Sequence, residues 1–266
     1  MLRTAQTANT VIAKLRRAAG IRIILAFGFC WPSLIWPQPP ANLAKRVAAR
    51  ESESERARQH YTYRQTVVVE ELDHKGMKTG DYREVRDVIF SPEGERAEQF
   101  IVRPVNFLKR LILTDEDFRD IREVQPFLFT PEQLWIYETR FRGEETIDEV
   151  DCYVLQVRPR QILDGQRLFD GVFWVSKQDS SIVRSEGKAV PEIRRRKSEN
   201  LFPRFTTLRV PVDGKYWFPA HTHADDLLQF STGAQRIRMT IRYENYKRFG
   251  AESSVTFEGE VKKEGP

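Results

Sequence analysis

From Tyr61 the apolar positions recur every second residue. Tyr61, Tyr63, Val67 and Val69 fall on one side of an extended segment, and Thr62, Arg64 and Thr66 on the other. That is the period of a half-buried β-strand. Asp73-His74-Lys75-Gly76 reads as a turn, and a second strand follows over Tyr82–Phe90 with Tyr82, Val88 and Phe90 on one side. Ser91-Pro92-Glu93-Gly94 turns the chain again into Gln99–Val102. Short turns of this kind join antiparallel neighbours.

Two segments break the alternation. Residues 42–58 are rich in Ala, Arg and Glu, with Leu43, Val47 and Ala48 at helical spacing and Asn42 in the N-cap position. Thr114 precedes Asp115, Glu116 and Asp117, an acidic first turn suited to the positive end of a helix. Leu113 and Phe118 stand at the positions of a hydrophobic staple, and Phe118, Ile121 and Val124 recur every third residue up to Pro126. A covering helix is expected over 114–124.

Strand patterns then resume. They are expected over Leu134–Arg142, Cys152–Arg158, Val172–Ser176, Ile182–Ser185, Phe205–Val212, Tyr216–Phe218 and Arg236–Tyr243, with Val255, Phe257 and Val261 closing the series. Asp213-Gly214 is the strongest short hairpin signal. In the segment Arg236–Tyr243, Ile237, Met239, Ile241 and Tyr243 alternate with Arg236, Arg238, Thr240 and Arg242. The reading is mainly β with few helices: about ten strands in one large antiparallel sheet, open or partly closed.

The first 41 residues differ from the rest. They hold Arg3, Lys14, Arg16, Arg17 and Arg22, no acid, and an apolar run from Ile23 to Trp36. A cleaved export signal is the first reading; an uncleaved anchor and a buried segment are the alternatives. The organisation expected is therefore a leader over 1–41, a helical lead-in over 42–60, a single β domain over 61–261 and a tail over 262–266. The leader's five cations equal the net charge of +5 for the whole chain, so the remainder is formally neutral. A nucleic-acid role thereby loses its main support, because affinity there rests on a net basic charge. Cys30 falls in the leader, between Phe29 and Trp31, without the small residue that lipid attachment needs before it. That leaves Cys152 alone, so no internal disulfide is expected and the core must hold the domain together.

No phosphate loop, H-E-x-x-H or G-x-S-x-G occurs. His221, His223 and Asp225 would share one face of a strand, which suits a metal ligand set; two solvated imidazoles are the plainer reading. Arg194-Arg195-Arg196-Lys197 is flanked by Glu192 and Glu199 and reads as a solvated loop. The aromatic inventory is large, with 17 Phe, 8 Tyr and 5 Trp. A sheet with such a face either fills itself as a core or is roofed by helices over a ligand cavity.

Certain segments have a further quality. The Tyr-rich first strand (HYTYRQTVVVEEL), the stretch Trp135–Pro159 around Gly143, and Phe169–Gly187 with its Lys-Gln-Asp-Ser turn resemble the outer-membrane lipoprotein-sorting proteins of the LolA/LolB-like superfamily. The resemblance spans about residues 45–258. It implies a half-open antiparallel barrel covered by helices, with an apolar cavity for lipid or lipoprotein acyl chains. Relatives of this kind include carriers, membrane-anchored acceptors and envelope-stress sensors. The expectation is thus an exported, periplasmic, non-enzymatic binding protein without a cofactor or metal. Its partners would be an acyl chain, with an envelope protein or a membrane surface besides. Candidate cavity residues are Tyr63, Val67, Phe90, Phe100, Phe127, Phe129, Trp135, Tyr137, Phe173, Trp217 and Phe230. The competing readings are an envelope interaction or regulatory module with a protein partner, and a metal-dependent enzyme at His221 and His223.

Overall fold

The computed structural model describes residues 40–249 apart from 92–93, 125–128 and 196–197. The leader, Phe127 and the closing positions Val255, Phe257 and Val261 lie outside the described residues. Within them the alternating segments form β1 (Tyr61–Leu72), β2 (Lys78–Phe90), β3 (Arg96–Asn106), β4 (Tyr137–Ile147), β5 (Val150–Pro159), β6 (Leu168–Ser176), β7 (Ile182–Val190), β8 (Ile193–Arg195), β9 (Ser198–Asn200), β10 (Phe205–Val212), β11 (Tyr216–Phe230) and β12 (Gly233–Arg248). Ten of them make one sheet in the order β3-β2-β1-β12-β11-β10-β7-β6-β5-β4. Its neighbours pair antiparallel throughout. The sheet is not closed: β3 and β4 are its free edges.

Alternation decides the two faces. One carries Tyr63, Val67 and Val69 of β1, Tyr82 and Val88 of β2, Leu155 and Val157 of β5, Phe173 of β6 and Ile241 of β12 in a single core. The other carries a smaller cluster of Cys152, Val154, Trp174 and Val183, with Trp217 against it. Cys152 is a free, buried thiol whose pKa burial pushes up to about 11, with Asp151 acting the same way.

Helix α1 (Leu43–Arg58) adds Leu43, Val47 and Ala48 to the core and lies against β11 and the turn Pro131–Gln133. Its cap differs from expectation. Asn42 sits at the N-cap position in the left-handed region (φ 57°) and makes no side-chain cap bond. The helix is fixed instead by tertiary polar contacts. Buried Arg209 donates to both oxygens of buried Glu51 at 2.8 and 2.9 Å, and Arg50 donates to Ser181 Oγ at 3.0 Å.

Three further local differences have local causes. The helix over 114–124 is broken into α2 (Asp115–Arg119) and a π-helical turn, Asp120–Val124. Asp120 is buried there and held by Arg167, whose Nε lies 3.1 Å from its Oδ1. The strand expected from Leu134 starts only at Tyr137. Thr130 and Gln133 form a capping box around Pro131, and this local signal winds a 3₁₀ turn ahead of the strand. Arg194 and Arg195 of the basic run fall in β8, which pairs with β9, and Arg194 pairs with the flanking Glu192 and Glu199.

A candidate lipid cavity at one end of the sheet

The register places the chain reversals at two opposite ends. The β1–β2 and β11–β12 turns, the end of β3, the start of β4, and the β5–β6 and β7–β10 connections all lie at one end. The first turn of β1 and the last of β12 lie at the other, paired through Tyr61 and Arg248. The long connection from β3 to β4, which contains α2, therefore starts and finishes at the first end.

A partly open cavity of about 340 Å³ lies there. Val69, Leu228, Ile237 and Met239 form its sheet side. Leu111, Leu113 and Ile121 come from the β3–β4 connection, and Leu201, Phe202 and Pro203 from the segment after β9. Phe230 stands beside the β11–β12 turn. The volume is at the lower end of small-molecule sites, ~300–1,000 Å³.

Loop 107–114 is held in place by one carboxylate. Glu71, fully buried on β1, accepts the backbone N–H of Lys109 at 2.9 Å and of Arg110 at 2.6 Å, with Leu111 N–H also donating to it. At the other wall, Thr114 and Asp117 close a capping box. Asn200 donates to Asp117 at 2.8 Å, tying α2 to β9. Burial raises the pKa of both Asp117 and Asp120, and hydrogen bonds and the Arg167 charge act against it. Glu199 accepts from the Ser231 backbone and hydroxyl at 2.9 and 2.6 Å, which lowers its pKa. The acids lining the cavity are thus already bonded, and apolar side chains make up the larger part of its wall, with Arg110, Thr114, Ser231, Thr232 and Gln235 contributing polar atoms.

Of the candidates read from the sequence, Phe230 lines this cavity among the described residues. Tyr63, Val67, Phe90, Phe129, Tyr137 and Phe173 are buried in the core instead. There aromatic rings fill the face: Phe173 stacks on Phe169 at 5.4 Å, and Phe129 meets both Tyr137 and Phe173 at 5.9 Å. Trp217 belongs to the cluster on the opposite face. Trp135 and Phe100 are exposed, Phe100 lying under the Arg86 guanidinium. The apolar part of the cavity wall is mostly aliphatic, from strands and loops alike, which aromatic counting passes over. The alternating Val69, Ile237 and Met239, and Leu113 and Ile121 of the segment expected to cover the sheet, are the sequence signals that reach it besides Phe230.

The histidine cluster is arranged otherwise than a metal site needs. The rings of His221 and His223 lie parallel at 6.2 Å, while Asp225 is engaged by Arg236 at 2.8 Å and Arg238 at 3.2 Å. Among the described residues no three His, Cys, Asp or Glu side chains converge. A second, more open groove of about 670 Å³ lies beside the cavity and shares Arg110 with it, but its walls include Asp73, Asp225, Asp226 and Arg236. An alkyl chain gains little there, because charged walls keep their water.

With this geometry in hand, known proteins can be compared. No family model and no curated protein matches the chain. Among solved structures it is similar to a DUF1329 family protein from Desulfovibrio piger, at 15% identity over 82% of this chain and 96% of that one, with a TM-score of 0.39. It is similar to a LolA superfamily protein from Nitrosomonas europaea, at 13% identity over 76% and 94%, with a TM-score of 0.33. A third is an outer membrane lipoprotein-sorting protein domain from Vibrio parahaemolyticus, at 12% identity over 80% and 95%, again with a TM-score of 0.33. The fold has LolA-like neighbours, and at these identities the likeness concerns the fold alone.

Proposed function

We propose that this chain is an exported, periplasmic, non-enzymatic protein of the lipoprotein-sorting kind, which holds one acyl chain in the cavity beneath loop 107–114. The observation that carries the reading is that cavity: about 340 Å³ bounded by Val69, Leu111, Leu228, Ile237 and Met239, with its carboxylates already hydrogen-bonded. The basic, acid-free leader supports export. Burial at ~0.8 kcal/mol per methylene gives about 8 kcal/mol for a ten-methylene chain, the micromolar range before ordering costs.

The test is mass spectrometry of the protein after native extraction, with titration of a fluorescent acyl probe. Wild type is expected to carry lipid, and Leu228→Trp, which narrows the cavity, to bind the probe at least about tenfold more weakly. A folded wild type that emerges free of lipid and ignores the probe overturns the reading.

One observation favours a second reading, an envelope module with a protein partner. Edge strand β3 exposes Phe100, Ile101, Val102 and Val105 to solvent, an apolar patch of the kind that marks interaction sites. Crosslinking that captures one stable protein partner, in a protein free of lipid, would favour it.

A further inference from the structure

The exposed apolar side chains are unevenly placed. Among the described residues outside the strands, the large hydrophobics that stand in solvent are Met77 at the β1–β2 turn, Phe107 and Ile112 after β3, Trp135 before β4, and Ile162 and Leu163 between β5 and β6. All six lie at the end of the sheet that carries the cavity. Phe107 is 66% exposed, Ile112 85% and Trp135 73%. Among the described residues, the loops of the opposite end expose no large hydrophobic side chain. Burial in the fold explains none of the six, and chance scatter would not choose one end.

Charge follows the same side. Lys75, Lys109 and Arg110 flank Met77, Phe107 and Ile112, and Arg103 lies in the last part of β3 nearby. All four are exposed, and none makes a salt bridge among the described residues. The neighbouring acids are occupied. Asp73 accepts the backbone N–H of Lys75 and Met77 at 2.8 Å, Asp81 pairs with Lys78, and Asp117 is bonded to Thr114 and Asn200. Asp115 and Glu116 sit in the first turn of α2, where the helix dipole favours them.

We propose that this end of the sheet docks on an anionic lipid surface, with Phe107, Ile112 and Trp135 entering the interface and Lys75, Arg103, Lys109 and Arg110 meeting the headgroups. Bulky apolar tips interleaved with long cations are the pattern of interfacial binding. A protein surface would satisfy the tips but supplies no general reason for unpaired cations beside them. Docking here brings the cavity mouth to the bilayer, where an acyl chain could pass without crossing water. The docking does not depend on the cavity holding a ligand.

The test uses the full chain with Cys30→Ser and an environment-sensitive dye on one introduced cysteine: Phe107→Cys at the docking end or Gln178→Cys at the far end. Cys152 is buried and stays unlabelled. Vesicles are phosphatidylcholine alone or with a third phosphatidylglycerol. The expected result is a blue-shifted rise in emission at position 107 with anionic vesicles and none at 178, even if the leader tethers the chain. Each basic residue near an anionic surface contributes ~1 kcal/mol, about fivefold. Lys75→Glu with Arg103→Glu should therefore raise the lipid concentration at midpoint at least about tenfold, and salt should weaken binding. Equal rises at both positions, no rise at either, or indifference to lipid charge overturns the proposal. Acyl-probe titration of the same double variant separates this from the cavity reading, since neither Lys75 nor Arg103 lines the cavity or lies in the loop that walls it.

Discussion

Glu71 accepts the backbone N–H of Lys109 at 2.9 Å from a fully buried position, thirty-eight residues away in sequence. Its carboxylate also takes the N–H groups of Arg110 and Leu111, so one side chain fixes the loop that walls the cavity. The approach is close enough to require a glycine alongside. A Cβ on Gly80 would lie 2.5 Å from the Phe107 carbonyl oxygen and 3.0 Å from Glu71. Replacing Glu71 with Ala leaves three backbone donors without their acceptor. A loss of about 3 kcal/mol is expected, since hydrogen bonds to charged groups contribute ~1.5–3 kcal/mol each and water can reach part of the loop. Amide exchange at Lys109, Arg110 and Leu111 should accelerate in Glu71→Ala while the central strands stay protected. Unchanged exchange there would remove Glu71 from this role.

The Glu51–Arg209 pair fastens α1 to β10, with both side chains almost wholly buried. Burial pushes the Glu51 carboxyl above its ordinary range, and the Arg209 charge only partly restores it. Arg209→Met alone should destabilise the protein by about 3–5 kcal/mol, because a buried charge is left unpaired. Glu51→Met with Arg209→Met should recover most of that loss. Urea denaturation of the two singles and the double forms the cycle, and simple additivity would show the pair to be uncoupled.

Gly187 faces Gly171 across β6 and β7, and the Phe169 ring lies over both. A Cβ on Gly187 would come within 2.5 Å of the ring and of the Asp170 carbonyl oxygen. Gly187→Ala should therefore cost about 1–3 kcal/mol by overpacking. It should lower the urea midpoint with the slope unchanged.

His221 has its pKa lowered from 6.5, first by burial and then by His223 and Arg242. Below 6.5 the unfolded chain takes up this proton before the folded one does. Stability from this group is thus present near neutrality and declines as pH falls from 6.5 through the folded-state value. NMR titration of the His221 ring should place its midpoint below 6.5. His221→Gln should lessen the loss of stability on acidification, and an unchanged pH profile would contradict the assignment.

The sheet was legible wherever one face is wet. In Arg236–Tyr243 and Tyr61–Val69 each inward side chain has a polar neighbour, and the period of two shows through. Asp213-Gly214 marked its hairpin because both residues take positive φ, at 51° and 64°. The extent of β11 was not legible. The run after Phe218, from Pro219 to Asp226, is crowded with His, Asp and Pro, and pairing with β10 as far as His223 and with β12 from His221 onward keeps it extended. The site was hardest to read, because its walls come from Val69, Leu111, Leu201 and Leu228. Nothing in the sequence near any of these signals that they meet.

By itself the sequence determined the antiparallel run of strands and turns, the helix over Leu43–Arg58, the capped turn at Thr114 and the absence of formal net charge over residues 42–266. These follow from spacing, capping and composition, which act over a few residues. The tertiary structure alone decided which aromatic positions became core and where space was left. Phe129, Tyr137, Phe169 and Phe173 meet through strand register and fill one another's gaps. The cavity stays open because its far wall is a loop pinned by Glu71, not a second layer of side chains pressed to contact. Packing density is a property of elements brought together, so no window of the chain encodes it.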